Sequence, residues 1–303
     1  MIKAYKSKLL SFFPYNVLMD KLKIAIQKSG RLYEDSIKLL KDCSIEVNIG
    51  IDKLKTTALN FPLEILFLRD DDIPQYLEDG VADIGIIGKN VLLEKRKKIK
   101  IKETLGFGKC RLSIAVPKSL VYNDIKDLNG KRIATSYPFL VKEFFEKRYI
   151  NAEIHEISGA VEIAPGIGLA DCICDLVSSG STLFMNGLKE VETVLQSEAI
   201  LASHLYLGMP QNLIMDKLLF RIRAVKKAKN NKYILLNVPN NRLKKIISYL
   251  PGVKSTVILP LANSEWSSVH SVVNENNFWG IIENLKALGV QDILVLPIEK
   301  IIL

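Results

Sequence analysis

The residues best suited to chemistry lie between positions 162 and 182. An apolar run, Cys172-Ile173-Cys174-Asp175-Leu176-Val177, ends in Ser178-Ser179-Gly180-Ser181-Thr182, and Leu183 follows. The run reads as a buried strand and the hydroxyl-rich turn as the start of a short helix. Main-chain N–H groups at such a start point outward and attract anions. Gly180 permits close approach of a ligand to the backbone, and Ser178, Ser179, Ser181 and Thr182 add hydroxyl donors. Asp175 stands just upstream, where a carboxylate can accept two O–H donors from a ribose diol. The set suits a 5-phosphoribosyl group. A plainer reading also fits the spacing: a Ser/Thr-capped helix after a strand.

Two smaller clusters complete the candidates. Gln27-Lys28-Ser29-Gly30-Arg31 follows the apolar run Leu22–Ile26. Ligands of open α/β sheets bind beyond the carboxyl ends of strands, so Lys28 and Arg31 could meet phosphates there, with Gly30 giving access. The alternative is a solvated basic turn. Arg69-Asp70-Asp71-Asp72 precedes Ile73-Pro74. Three adjacent carboxylates repel one another unless cations or donors meet them. They could serve Mg²⁺ or ribose hydroxyls, or Asp72 could cap the helix that Pro74 opens. Glu162 is a weaker candidate for hydroxyl or adenine contacts.

Several familiar sites are excluded. Gly166-Ile167-Gly168 begins a dinucleotide-like pattern, but Asp171 occupies its last position and the stretch precedes its strand. Neither the phosphate-loop pattern G-x-x-x-x-G-K-[ST] nor the hydrolase elbow G-x-S-x-G occurs. Cys43, Cys110, Cys172 and Cys174 form no C-x-x-C pair, and His155, His204 and His270 are far apart, which argues against a Cys/His metal cage. Four free thiols suit a reducing cytoplasm. Cys172 and Cys174 share one strand face and are expected to be core side chains.

The elements that must position these residues follow from periodicity. From Leu22 onward, apolar runs bounded by Gly or Pro alternate with helical segments, the pattern of buried strands in an α/β sheet. Strands are expected at 22–26, 45–49, 63–68 and 81–87, with a helix at 33–42. A second set is expected at 99–105, 111–116, 131–135, 152–157 and 172–177, with a helix from Tyr137-Pro138 to about 148. The last third reads helix 216–230, then strand 232–238, helix 240–249, strands 256–262 and 268–273, helix 276–288 and strand 291–298. That βαββαβ order is the ferredoxin-like split motif.

The chain has 303 residues, 48% hydrophobic and 25% charged, which suits two or three globular domains and excludes a disordered chain or a disulfide mini-protein. Its net charge of +9 could suggest nucleic acid or an anionic membrane. The charge sits elsewhere than at the candidate site. Residues 89–102 carry seven Lys/Arg and one Glu, residues 1–30 six Lys and one Asp, and residues 217–245 ten Lys/Arg and no acid. Abundant Lys, Ile and Asn fit an AT-biased coding sequence, and no helix-turn-helix, zinc-finger or RNA-binding signature occurs. Neither a nucleic-acid nor a membrane partner is expected. No apolar run is long enough for a membrane helix. Lys3, Lys6 and Lys8 before the apolar stretch Leu9–Met19 weakly resemble an export signal, yet no small-residue cleavage site follows. Residues 1–20 are read as an extension.

Taken together, these motifs resemble the ATP phosphoribosyltransferase family in its long form, over about residues 22 to 301. The resemblance is carried by Ile24–Leu32, Leu68–Pro74, Asp83–Gly88, Cys110–Ser113, Lys131–Pro138, Ser158–Glu162 and Asp171–Leu183. Thr256–Ala262 and Ile293–Lys300 carry it into the last third. It implies attack of adenine N1 of ATP on ribose C1 of phosphoribosyl pyrophosphate, with inversion, giving N1-(5-phosphoribosyl)-ATP and pyrophosphate in the first step of histidine biosynthesis. Mg²⁺ would travel on the phosphates, histidine would inhibit by feedback, and the enzyme would be a homohexamer in the cytoplasm.

The implied architecture is a two-lobed, periplasmic-binding-protein-like α/β core with a C-terminal ferredoxin-like regulatory domain. The domains would be residues 21–105 with 184–228 (lobe I), 106–183 (lobe II) and 229–303 (histidine-binding). No nucleophile or general base is needed, because pyrophosphate leaves readily and positioning suffices. Asp175, Ser178, Ser179, Gly180, Ser181 and Thr182 would hold the phosphoribosyl group, and Lys28, Gly30, Arg31, Asp72 and Glu162 would meet ATP or pyrophosphate.

Some positions depart from the family pattern. Gly166 stands where Arg is common, Lys89 where Glu is common, and Lys53 where an Arg usually precedes the third strand. The segment after Val91 is short and basic, and Asn263–Ser268, close to the expected histidine site, diverges. Intact catalysis with weakened feedback is the expectation. The rival from another class is a non-catalytic two-lobed binding protein, which would not need the phosphate cradle.

Overall fold

The computed structural model describes residues 21–48, 50, 54–250 and 256–302. The extension 1–20 and Lys53 lie outside them. The chain divides into two compact units after Asp216. No helix among the described residues is long and apolar enough to cross a membrane.

The first unit contains two sheets. Its first half is built from β1 (Leu22–Gln27), α1 (Arg31–Asp42), β2 (Lys55–Thr57), β3 (Leu63–Leu68), α2 (Ile73–Glu78), β4 (Ile84–Gly88), α3 (Lys89–Lys95) and β5 (Ile99–Thr104). There follow β6 (Cys110–Pro117), β7 (Arg132–Thr135), α4 (Pro138–Glu146), β8 (Glu153–Glu156), β9 (Cys172–Val177), α5 (Ser181–Met185), β10 (Leu188–Ser197) and β11 (Ala199–His204); α6 (Met209–Lys229) contains the boundary between the units. The six-stranded sheet has the order β2-β3-β1-β4-β11-β5, and the five-stranded sheet the order β10-β6-β9-β7-β8.

Small residues set the spacing in the first sheet. Gly85 pairs with Ala25 on one side and Ala202 on the other. A Cβ added to Gly85 would lie 2.9 Å from Ile73 Cγ2. The Ala-Gly-Ala row therefore lets α2 press Ile73 and Leu77 onto the sheet, where both are fully buried. That contact fixes the start of α2, and with it the Asp70–Asp72 turn. In the second sheet, Ile133 pairs with Cys172 and Thr135 with Cys174. Both cysteines join the core of Leu112, Ile114, Phe144 and Phe145, as their spacing predicts. Burial pushes the Cys172 thiol up to about 12 and the Cys174 thiol upward as well.

The parallel strands decide where a site can form. β1 runs parallel to β3 and β4, and β7 runs parallel to β9. Their carboxyl ends deliver Lys28, Arg69, Lys89, Ser136 and Ser178, the residues that follow the strands.

Some elements differ from expectation. Residues 45–48 form no strand; Val47 makes an isolated bridge to Ala58. The return of the chain to the first sheet does not fall at residue 184. Instead β10 pairs with β6 in the second sheet, and the return falls at Glu198, between β10 and β11. The alternating Leu188–Ser197 segment has only its ends buried, so it offers little apolar signal for a strand.

The second unit carries β12 (Asn231–Pro239), α7 (Leu243–Tyr249), β13 (Val257–Pro260), β14 (Trp266–Asn274), α8 (Phe278–Ala287) and β15 (Gln291–Pro297). The sheet order β13-β14-β12-β15, all antiparallel, is ferredoxin-like. Ile234, Leu236 and Val238 alternate inward on β12 and meet Ile246, Phe278, Ile282 and Leu285 of the two helices.

Candidate active site

The Ser178–Thr182 turn forms as its sequence requires. β9 ends at Val177, Gly180 adopts a left-handed conformation (φ 80°, ψ 0°), and α5 begins at Ser181. A residue with a Cβ would resist that backbone geometry. Ser179 and Ser181 hydroxyls lie 2.9 Å apart. Gly180, at the cap position of α5, has no side chain to offer; the Ser181 N–H reaches the Ser179 hydroxyl only at 3.5 Å, and an anion at the helix start can compete for that weak bond. Ser178, Ser179, Ser181 and Thr182 are exposed. The Ser/Thr-capped reading of this turn is met only by that one long bond from Ser181 N to Ser179.

Ser178 is held from two directions. Arg31 Nη1 donates to its hydroxyl at 3.3 Å, and Arg111 Nη1 donates to its carbonyl at 3.3 Å. Arg31 opens α1 in the first lobe, directly after Gly30, whose φ of 86° and ψ of −176° suit glycine. Lys28 closes the β1 end by donating its main-chain N–H to the Leu68 carbonyl at 2.9 Å and leaves its side chain exposed. Arg111 is fixed by Glu190, whose two carboxylate oxygens take its Nε and Nη2. That pairing holds the Glu190 carboxyl below its ordinary range.

Carboxylates gather beside the cradle. Asp175 is half-buried; burial raises its carboxyl, and the nearby Glu162 charge adds to the rise. Glu162 lies on the single turn Val161–Ile163. On the first lobe, Asp70 has its carboxyl pushed up to about 6, by burial first and by Asp71 second. Among the described residues, Asp70 Oδ1 is buried without a hydrogen-bond partner. Asp71 pairs with Lys95 at 3.4 Å. Asp72 precedes α2 but makes no capping bond and is exposed.

Tyr137 joins these groups. It ends the stretch after β7, and its hydroxyl accepts from Asn90 Nδ2 at 3.0 Å. Asn90 is itself fixed by Ser197, whose hydroxyl donates to Asn90 Oδ1 at 2.7 Å and accepts from Asn90 N at 3.0 Å. Burial raises the Tyr137 phenol, and the charges of Asp175, Asp70 and Asp71 raise it further. One phenol thus feels carboxylates of both lobes. Next to it, the Glu94 carboxylate from α3 accepts from Phe139 N at 2.8 Å and Leu140 N at 3.0 Å, capping α4 across the lobes.

Of the residues singled out from sequence, Arg31 and Ser178 make direct contact, and Glu162 lies within electrostatic reach of Asp175. Gly180 and Gly30 have the backbone geometry that only glycine takes easily. No bond joins Lys28 or Asp72 to the cradle. Sequence patterns mark Asp70 only as one of three adjacent carboxylates and do not single out Arg111, Tyr137 or Asn90 individually. Arg111 and Tyr137 stand within the motifs Cys110–Ser113 and Lys131–Pro138, the one signal that could have found them.

Two sheets whose parallel strand ends meet across such bonds define a two-lobed, periplasmic-binding-protein-like α/β core, here followed by a ferredoxin-like unit. The ATP phosphoribosyltransferase family profile matches residues 69–224, and a profile described as HisG, C-terminal domain matches residues 228–300. The ATP phosphoribosyltransferase of Cytophaga hutchinsonii is 59% identical over 281 residues, covering 93% of this chain and 98% of the relative. That of Phocaeicola vulgatus is 51% identical over 282 residues, covering 93% and 100%. Among solved structures, an ATP phosphoribosyl transferase (HisG:HisZ) complex from Thermotoga maritima aligns with a TM-score of 0.57 and 29% identity, covering 67% of this chain and 98% of the other. The chain belongs to the ATP phosphoribosyltransferase family. It is a transferase of histidine biosynthesis with the additional C-terminal domain.

Proposed function

We propose that the cleft between the two lobes joins phosphoribosyl pyrophosphate to ATP through the residues described above. The adenine N1 lone pair forms the new bond to ribose C1. The C1–oxygen bond breaks on the opposite face, and pyrophosphate departs with the electron pair. No proton transfer is required in that step, so the chain's task is to hold the two reactants in line and to stabilise charge on the leaving group.

The cradle Ser178–Thr182 takes the 5-phosphate on its N–H groups and hydroxyls, and Asp175 takes the ribose diol. Arg31 and Lys28, at the facing strand end, take phosphate charge of pyrophosphate or ATP. The observation that carries this reading is the Arg31–Ser178 contact, which sets a cation of the first lobe against the anion cradle of the second. Asp72 and Glu162 serve hydroxyl or adenine contacts. Mg²⁺ enters with the phosphates as part of the substrate. Its charge also offsets the carboxylates of Asp70, Asp71, Asp175 and Glu162 around the cleft.

The same reading includes a cytoplasmic homohexamer inhibited by histidine at the C-terminal domain. Phosphorus NMR of the full chain with ATP, phosphoribosyl pyrophosphate and Mg²⁺ tests the reaction. Free pyrophosphate should accumulate only when ATP is present; release without ATP, or none at all, contradicts it.

A further inference from the structure

A second cavity, of about 680 Å³, lies apart from the cradle and shares no lining residue with it. Its size falls in the range of small-ligand sites. One wall comes from α3 and β5 of the first lobe, with Leu92, Leu93 and Ile101. The other comes from α4 and β10 of the second, with Phe139, Leu140 and Leu195.

Charge at this cavity is unbalanced. Arg96, Lys97, Lys147 and Arg148 line it against a single carboxylate, Glu143. Glu143 is taken by Lys147 at 2.7 Å, and Lys97 is taken by Glu78 at 3.0 Å. The two arginines remain. Arg96 lies over the Phe139 ring at 4.3 Å and Arg148 over the Phe144 ring at 3.6 Å. Arg148 Nη1 also donates to the Phe144 carbonyl at 3.0 Å. Among the described residues, neither guanidinium has a carboxylate partner. Stacking on a ring fixes the guanidinium plane while its edge donors stay available to an anion.

We propose that this cavity binds a small monoanion with an apolar body. Its head group meets the arginine edges, and its aliphatic or aromatic body lies among Leu92, Phe139, Leu140 and Leu195. Both arginines are exposed, so a neutral apolar molecule would make no use of their edge donors, and a polyphosphate would leave the apolar walls unused. The occupant touches both lobes. The same two helices carry the cross-lobe bonds, since α3 holds Asn90 and Glu94 while α4 begins one residue after Tyr137. The site is therefore placed to act on how the lobes move against each other.

Titration calorimetry of the full chain with 4-phenylbutanoate, and with neutral 4-phenylbutan-1-ol, tests the assignment. The carboxylate should bind saturably and at least about tenfold more tightly than the alcohol, the factor expected of one charge-assisted contact. Arg96→Gln with Arg148→Gln should remove that preference. Ile101→Trp, at an exposed position on the wall, should weaken both probes and serves if the double variant fails to fold. Absence of saturable carboxylate binding, or binding that survives these changes, overturns the proposal.

Discussion

Arg31 Nη1 donates to the Ser178 hydroxyl at 3.3 Å, joining residues 147 positions apart in the sequence, one at the start of α1 in the first lobe and one after β9 in the second. Arg31→Ala should therefore lower kcat/KM for phosphoribosyl pyrophosphate by about 10- to 100-fold, the usual loss for a hydrogen bond to a charged group. Arg31→Lys should recover only part of it, since an ammonium lacks the planar fork. Initial-rate kinetics with each substrate varied in turn would show it; a lysine variant equal to the parent would refute the role of the fork.

The cradle makes a sharper demand on substrate binding. Gly180 holds φ 80°, where a Cβ costs about 1–2 kcal/mol. Combining Gly180→Ala with Thr182→Val should raise the KM for phosphoribosyl pyrophosphate at least tenfold while the KM for ATP changes little. Steady-state kinetics that remain unchanged would remove the cradle assignment.

Much of this site is legible in the amino-acid sequence itself. The strand-turn-helix passage from Asp175 to Leu183 follows from an apolar run meeting hydroxyl residues and a glycine, and the ferredoxin-like order follows from periodicity alone. The residues that escape have a common cause. Tyr137 matters because Asn90 bonds it, 47 positions away, and Asn90 is set by Ser197, 107 positions away. Arg111 matters because Glu190 orients it from β10, itself a strand that half-exposed side chains conceal. Local patterns carry the elements; the juxtaposition of two lobes is visible only when the chain is folded.

Asp70 gives a pH signature. Its carboxyl is raised from 3.8 to about 6, so between those values the native state binds the extra proton. Stability should fall as pH rises through that window, and the loss is complete above about pH 6. Asp70→Asn should then stabilise the chain at pH 7.5 by on the order of 2 kcal/mol, and by little near pH 3.8. Thermal melts at the two pH values decide it. An equal effect at both would show that the asparagine acts through packing.

Gly85 tests how the acidic turn is positioned. Its added Cβ would sit 2.9 Å from Ile73 Cγ2, against the helix that follows Asp70–Asp72. Gly85→Ala should destabilise by about 1–3 kcal/mol through overpacking. A denaturation midpoint equal to the parent would mean that α2 shifts freely.

Histidine control addresses the second unit. Asn263–Ser268 spans the end of the β13–β14 turn and the start of β14 and is tied to Asn240, which donates to the Ser264 carbonyl at 2.9 Å and accepts from the Ser267 hydroxyl at 2.6 Å. Divergence in this tied turn predicts weak inhibition. A histidine titration of activity should show a shallow, high-concentration response; full inhibition at low micromolar histidine would contradict it.

The central claim is that the facing strand ends of two lobes carry out phosphoribosyl transfer to ATP. Its most direct measurement is the absorbance change of N1-(5-phosphoribosyl)-ATP formation with Mg²⁺ and pyrophosphatase, for the parent and for Arg31→Ala. The parent should form product at a rate linear in enzyme, and the variant should form it far more slowly at the same subsaturating substrate. A parent without product, or a variant at the parent's rate, would contradict the account.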